Sequence, residues 1–574
     1  MSDLLNGKTI LIADGSTPVG RAASALFTER GARVIACMPG DVDFGDETAV
    51  EALADRLLQE GADLTGVFYN IIPDVPARRI PDLSESDLNT LIDRDITAAF
   101  NVSRVFGEYF RRREEMAGHV RSFDSRAIVF LGSIHDEKPN GSRPLLSFYM
   151  GALQNLVREC ALHYGQWGVR TNVIELGATG GEDEFFQSDI SGFYQGYSYK
   201  IPDGRVGTPE DAAEIAAFLL SPASRYINGT GLRADGGLTL HYIDANANSR
   251  EFRRREAAGE PLGTEQREVP DRNRYVHPDT ARDLTDGGLP EAGLPLYGRR
   301  VLVTGSGKGI GSDIMLTSAK LGASVVVHYN TSEENARKVF AEAQKICRGN
   351  NQKLAALRGA SSAPDLQRFP DGQRCVLIRE NLLSDGGPER LFHAAEEALG
   401  GIDILVNNAA MQINFSYDQY RAEQLRRLFR VNLRGYTMMS RLALPGMQGR
   451  GWGRIVNISS VHSKRPTTFD PVYCMTKGGI RMLTRELALE ALTADVTVNA
   501  VEPGAVEIGV KSGNPQATVP AKNLIWPPLF RYRPLVGGLL DPSEISAAVM
   551  FFLSEAAGRI NGSCLRVDDG LVLR

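Results

Sequence analysis

Short, continuous apolar runs recur along the chain, and each gives way to a stretch whose apolar positions return at helical spacing. Val325-Val326-Val327 and Ile404-Leu405-Val406 show no polar alternation, the pattern of strands buried on both faces. Repeated strand–helix alternation, with a glycine-containing turn after the first strand, predicts the α/β class and a doubly wound parallel sheet.

The pattern is written twice. Leu4–Gly15 and Leu296–Gly305 each read as an apolar strand running into a glycine turn and then a helix. Ala127–His135 (AIVFLGSIH) matches Arg454–His462 (RIVNISSVH), and Arg158–Gly165 matches Arg485–Leu492. Val169–Ala178 matches Val496–Ala505, and Ile227–Gly237 matches Ile560–Gly570. The collinear order predicts a tandem duplication, with one domain over residues 1–240 and a second over 296–574. Residues 241–295 between them carry many Arg, Glu, Asp, Asn and Gly and few aliphatics, and read as a polar linker. Its Arg250–Arg255 run reads as a solvated helix face.

Composition narrows the classes further. A chain of 574 residues, 43% hydrophobic and 23% charged, is a globular protein with more than one core. A net charge of −6 gives no basic field for nucleic acid. The longest apolar runs, near Ala212–Leu220 and Ser546–Leu553, are too short to span a membrane, and the N-terminus has no secretory layout. Six scattered cysteines without a CxxC pair argue against a zinc site and against disulfides, which places the expectation in the reducing cytoplasm.

Candidate chemistry lies in the second half. Thr304-Gly305-Ser306-Gly307-Lys308-Gly309-Ile310-Gly311 occupies the first strand-to-helix turn, where glycines admit a pyrophosphate to the helix N-terminus. Asn407-Asn408-Ala409-Ala410 follows, then Asn432, Ser460, Tyr473, Lys477 and Pro503-Gly504. This series resembles the short-chain dehydrogenase/reductase family, with its TGxxxGIG, NNAG and PG elements and its Asn-Ser-Tyr-Lys tetrad; only Ala410 departs from NNAG. The resemblance implies two tandem Rossmann-type domains and an NAD(P)-dependent oxidoreductase. Its second half is similar to the glucose 1-dehydrogenase branch.

Tyr473 and Lys477, four residues apart, share a helix face. A phenol of ordinary pKa ~10 is a poor base at neutral pH, and a nearby ammonium is expected to favour its phenolate. Tyr473 then moves the proton, and Ser460 steadies the substrate oxygen. By resemblance, Lys477 also holds the nicotinamide ribose and Asn432 the water that links Lys477 to solvent. The cofactor residues implied are Gly305, Ser306, Lys308, Gly309, Ile310, Gly311, Tyr329, Asn330, Asn381, Leu382, Asn407, Ala409, Tyr473, Lys477, Pro503, Gly504 and Val506. The second strand ends His328-Tyr329-Asn330 without a diol-binding carboxylate, and Lys308 stands where NADP-preferring relatives place a base. NADP is therefore expected over NAD, with Lys308 as an ordinary exposed charge the competing reading. No metal is expected.

The first half reads as a degenerate copy. Its glycine turn is Ala13-Asp14-Gly15-Ser16-Thr17-Pro18-Val19-Gly20, with a carboxylate in the phosphate position and a proline that removes an N–H. Ser133 persists, but Leu146 replaces the tyrosine, Met150 the lysine, Asp95 the asparagine and Leu176 the proline of the PG element. NNAG becomes Tyr69-Asn70-Ile71-Ile72, and the chain passes from Val34–Cys37 to Asp41-Val42 without room for a third strand and its helix. An inactive structural or regulatory domain is expected, paired with the second half as an intramolecular pseudo-dimer, with further homo-oligomerisation left open.

The segment Lys511–Leu535, with Trp526, is expected to cover a small-molecule substrate contacted by Ser460, His462 and Trp526. Oxidation or reduction at a secondary alcohol or a sugar or polyol hydroxyl leads the expectations. A 3-oxoacyl-thioester or other ketone reductase is the alternative, and a non-catalytic dinucleotide sensor the alternative of a different class. Ile508 departs from the family's threonine after the PG element.

Overall fold

The structure, a computed structural model, describes residues 4–116, 126–140, 143–179, 206–225, 227–236, 238–240, 294–360, 372–466, 470–491, 494–507, 539–554, 557–558 and 560–568. Residues 241–293 of the expected linker, the segment Lys511–Leu535 with Trp526, and Ile508 lie outside the described residues.

Two parallel sheets form. The first comprises β1 (Thr9–Ile12), β2 (Arg33–Ala36), β3 (Gly66–Tyr69), β4 (Arg126–Ser133), β5 (Val169–Leu176) and β6 (Gly231–Ala234), in the order β2-β1-β3-β4-β5-β6. The second comprises β7 (Arg300–Val303), β8 (Ser324–Tyr329), β9 (Cys375–Arg379), β10 (Ile404–Asn407), β11 (Trp452–Ile458), β12 (Asp495–Pro503) and β13 (Cys564–Val567), in the order β13-β12-β11-β10-β7-β8-β9. The difference is the edge strand β9, which pairs with β8 from Val325↔Cys375 to Tyr329↔Arg379. Its counterpart is missing from the first sheet, as the short Cys37–Asp41 connection predicts, so β2 becomes an edge with exposed Arg33 and Ala36.

The first half carries helices α1 (Pro18–Glu29), α2 (Glu47–Gln59), α3 (Glu85–Thr90), α4 (Thr97–Met116), α5 (Pro144–Tyr164) and α6 (Pro209–Leu220). The second carries α7 (Gly309–Lys320), α8 (Glu333–Ala360), α9 (Gly387–Leu399), α10 (Ala422–Phe429), α11 (Gly435–Gly449), α12 (Pro471–Glu490) and α13 (Pro542–Leu553). Corresponding helices start for the same local reason: α6 at a Thr208/Asp211 capping box and α13 at Asp541/Glu544, each with proline in the first turn. A π turn joins α3 to α4 at Leu91–Ile96, and another joins α10 to α11 at Arg430–Arg434.

The halves share a core. One apolar cluster contains Phe100, Phe106 and Leu153 of the first half with Leu433, Met475 and Leu483 of the second, while the far face of each sheet has a cluster of its own. At the seam α5 lies against α12 with backbones almost touching, because a Cβ on Gly478 would stand 2.2 Å from the Gly151 carbonyl oxygen. Polar groups lock the register: Ser103 Oγ and Tyr417 Oη are 2.6 Å apart, and Glu486 accepts from the Asn140 N–H at 2.6 Å and from Ser147 Oγ.

A Gly151→Ala variant tests the seam. Its Cβ would stand 2.6 Å from the Gly478 carbonyl oxygen, and a loss of roughly 1–3 kcal/mol in denaturant unfolding is expected from such overpacking. Gly349→Ala, in α8 with open space around the site, should instead gain roughly 0.5–1 kcal/mol.

Candidate active site

The expected site residues converge at the carboxyl ends of β7, β10, β11 and β12, where an open parallel sheet binds ligands. Helix α12, opened by Pro471, puts Tyr473 and Lys477 on one face. Lys477 is buried; its Nζ donates to the Ile458 carbonyl at the end of β11 (2.8 Å) and lies 5.2 Å from the centre of the Tyr473 ring. Ser460, just past the same strand, caps the short turn Val461–Ser463 by accepting from the His462 N–H at 3.2 Å. The half-buried His462 ring stands 6.3 Å from the Tyr473 ring, its Nδ1 3.1 Å from the Arg465 carbonyl.

Asn432 sits inside the second π turn. Its Nδ2 donates to the Met411 carbonyl (2.9 Å) and to Thr476 Oγ1 (3.0 Å), while its Oδ1 accepts from the Met411 N–H (2.7 Å). That side chain therefore ties the loop after β10 to the helix of Tyr473 and Lys477. A first-half residue reaches the same place: buried Asn155 donates to the carbonyls of Ser463 (2.9 Å) and Cys474 (3.0 Å).

Charge in the site differs from the sequence-based expectation. Burial holds the Lys477 ammonium down to about 7, and burial with Asp470 and Cys474 pushes the Tyr473 phenol up, against the Ser460 hydrogen bond. Desolvation, acting on both charged forms, sets the direction of both shifts.

The glycine turn forms a cradle. Gly305 (φ +66°) and Gly309 (φ +58°) hold left-handed backbone, and a Cβ on Gly311 would stand 2.4 Å from Asn408 Nδ2. Lys308, exposed at the N-cap of α7, makes no side-chain cap, so no side chain of its own closes this helix N-terminus. Thr304 Oγ1 accepts from the Asn408 and Ala409 N–H groups at 2.9 and 3.0 Å, fixing the turn on the loop after β10. Asn407 itself is buried, its Nδ2 on Ser440 (3.0 Å) and Asn457 (2.9 Å), so its side chain braces the sheet. Tyr329 is buried at the end of β8 beside exposed Asn330, whose Nδ2 donates to Asn381 Oδ1 at 3.2 Å. The Asn381–Leu382 turn follows β9. Past β12, the Gly504 N–H donates to the Val567 carbonyl at 2.8 Å, and Val506 bridges to Leu540.

His328 has a role the sequence did not reveal. Its Nδ1 accepts from the Gly305 N–H at 2.8 Å and its Nε2 lies 3.1 Å from the Glu380 carbonyl, which fixes the proton on Nε2. Burial holds it down to about 4, so it braces the glycine turn as a neutral ring. A histidine inside an otherwise apolar strand run was the available signal.

In the first half the equivalent cradle is filled from within. Asp14 Oδ1 accepts from Ser16 N–H (2.8 Å) and Oγ (2.6 Å), and Thr17 caps α1 by accepting from the Gly20 N–H at 2.9 Å. Pro18 offers no N–H. Met150 Sδ accepts from the Ser133 N–H at 3.3 Å, and the buried Tyr149 hydroxyl has no hydrogen-bond partner among the described residues. Asp95, in the place of Asn432, is ion-paired to Arg94 at 2.8 Å.

Residues 5–239 and again residues 355–572 match the family model described as enoyl-(acyl carrier protein) reductase. The chain belongs to the short-chain dehydrogenase/reductase family, as a tandem duplication. This short-chain dehydrogenase/reductase is 31% identical over 282 residues to 3beta-hydroxysteroid dehydrogenase 1 of Eggerthella lenta, covering 48% of this chain and 95% of that one. It is 33% identical to L-xylulose reductase of Mus musculus (49% of this chain, 98% of the relative) and 28% identical to glucose 1-dehydrogenase 2 of Bacillus subtilis (48% and 96%). A solved short-chain dehydrogenase from Burkholderia cenocepacia in complex with NADP is 26% identical, covers 48% of this chain and 98% of its own, and superposes with a TM-score of 0.38. The short-chain dehydrogenase/reductase assignment makes the chain an oxidoreductase. Among the described residues no helix is long and apolar enough to cross a membrane, and no His, Cys, Asp or Glu cluster could hold a metal ion.

The Lys477 shift carries a pH signature. With a folded value near 7 against the ordinary 10.5, the unfolded chain binds more protons between these values, so stability rises with pH across that window. The melting temperature of the cofactor-free protein, measured relative to Lys477→Met, should climb from pH 7 to 10; a flat difference would contradict the buried ammonium.

Proposed function

We propose that the second half interconverts a secondary alcohol, or a sugar or polyol hydroxyl, with its carbonyl using NADP(H), and that the first half is catalytically inactive. The observation that carries this reading is the contrast between two homologous cradles. One keeps an uncapped helix N-terminus beside Ser460, Tyr473 and Lys477, and the other is closed by its own Asp14 and Thr17.

Bound at Gly305–Gly311, the dinucleotide would supply or accept a hydride. In oxidation Tyr473 takes the hydroxyl proton, and in reduction it gives that proton to the carbonyl oxygen. Ser460, whose side chain favours the Tyr473 phenolate, orients the same oxygen. Lys477, held by the Ile458 carbonyl, sits behind the phenol and favours its anion whenever it is itself protonated. Asn432 keeps the loop after β10 and α12 in register, and with its amide committed to Met411 and Thr476 any water it holds would be carried by its backbone.

NADP over NAD is supported by exposed Lys308 and by exposed Arg379, whose Nε lies 3.3 Å from the Asn330 carbonyl at the carboxylate-free end of β8. The sugar or polyol reading is supported by the xylulose- and glucose-active relatives, with steroid and 3-oxoacyl-thioester chemistry as competing substrate classes. The domain limits 1–240 and 296–574 and the pairing of the halves as an intramolecular pseudo-dimer belong to the same proposal. The shared core and the α5–α12 seam support them.

Calorimetric titration should give one NADPH per chain, bound more tightly than NADH; two sites per chain would refute an inactive first half. Tyr473→Phe should keep that affinity and lose on the order of 10²–10⁴-fold in turnover on a polyol and ketose panel. Unchanged turnover would remove the catalytic assignment.

A further inference from the structure

We propose that the first half completes the cofactor pocket of the second through Glu85, a positioning residue acting on Arg434. The inference rests on the reading above that the Asn381–Leu382 turn walls the dinucleotide. Arg434 lies two residues beyond Asn432 in the π turn and is wholly buried. Its Nη2 donates to the carbonyls of Leu382 (2.8 Å), Leu383 (2.9 Å) and Ser384 (3.2 Å). One guanidinium thus ties the turn after β9 to the turn that carries Asn432.

A buried cation needs a counter-charge, and the second half supplies a poor one: Asp385, 3.5 Å away and 87% exposed. The first half supplies the better one. Glu85 Oε1 accepts from Arg434 Nη1 at 2.5 Å, and its Oε2 accepts from the Gly386 N–H, at the N-cap of α9, at 3.0 Å. A single carboxylate from across the seam therefore neutralises the clamp and fixes the far end of the turn it grips. The arrangement is not mirrored, because the first-half position matching Arg434 is Thr97, whose hydroxyl donates within its own π turn to the Ile92 carbonyl (2.8 Å). Contact between the halves acts in one direction here, from the degenerate copy to the intact one.

The test uses the full chain, with NADPH and adenosine 2′,5′-bisphosphate as titrants and melting temperature measured in parallel. Glu85→Gln keeps the shape and removes the charge, and should weaken both ligands roughly tenfold, the lower end of what supporting residues contribute to a site. Glu85→Asp should recover part of the loss and serves if the Gln variant does not fold. Arg79→Ala, which cuts the seam ion pair to Glu490 away from the pocket, should leave affinity unchanged. Wild-type affinity in Glu85→Gln with only a lower melting temperature would assign Glu85 to the seam and overturn the proposal. So would an equal loss in Arg79→Ala. A wild-type chain that binds neither titrant would instead remove the dinucleotide reading, and the clamp with it.

Discussion

The close approach of α5 and α12 is the constraint on which the rest of the molecule depends. Glycine stands at both crossing points, and any side chain there would drive the helices apart. That approach lets one apolar core run through both halves, so they are joined by buried surface and not merely by the connecting chain. It also places the helix of Tyr473 and Lys477 at the seam, with its opposite face against the first half. The geometry of Ser460, Tyr473 and Lys477 and the attachment of the two halves are consequently one packing problem.

Duplication explains why that seam has near symmetry, and divergence explains where the symmetry fails. Both halves keep the apolar strands, the capping boxes that start α6 and α13, and the π turn before the long helix. Besides the lost edge strand, what changed lies in the loops at the carboxyl ends of the strands and on the first turns of α5, where Leu146 and Met150 stand in the places of Tyr473 and Lys477. Asp14 folds onto Ser16 and Thr17 onto Gly20, so side chains of the first-half turn take up its own N–H groups, whereas Lys308 gives α7 no side-chain cap. The loss of an edge strand is tolerated because an edge has only one neighbour, whereas loss of a central strand would have split the sheet.

Burial has a dual effect in the intact site. It holds Lys477 down to about 7, so its ammonium is only partly formed at neutral pH, and it raises Tyr473, so the phenol stays neutral there. First-half residues stand close behind this arrangement: Asn155 grips the carbonyls that follow Ser460 and Tyr473, and Glu85 reaches the turn beyond Asn432.

Much of this protein was legible in the sequence because its information is local. Apolar runs gave the strands, repeated segments gave the duplication, and the short Cys37–Asp41 connection gave the missing edge strand. The glycine turn and the Asn432, Ser460, Tyr473 and Lys477 spacing pointed to residues that the fold brings together, since each depends on a few neighbouring residues or on helical periodicity. The polarity of the site was not legible: a pKa responds to everything around a group, and the sequence does not show that Lys477 is dry. Nor did it reveal His328 bracing the glycine turn, Asn407 turned toward the sheet, or Glu85 and Asn155 crossing the seam. Those contacts join residues separated by tens to hundreds of positions: the sheet of the second half brings His328 and Asn407 to their partners, and the packing of one half on the other brings Glu85 and Asn155 to theirs.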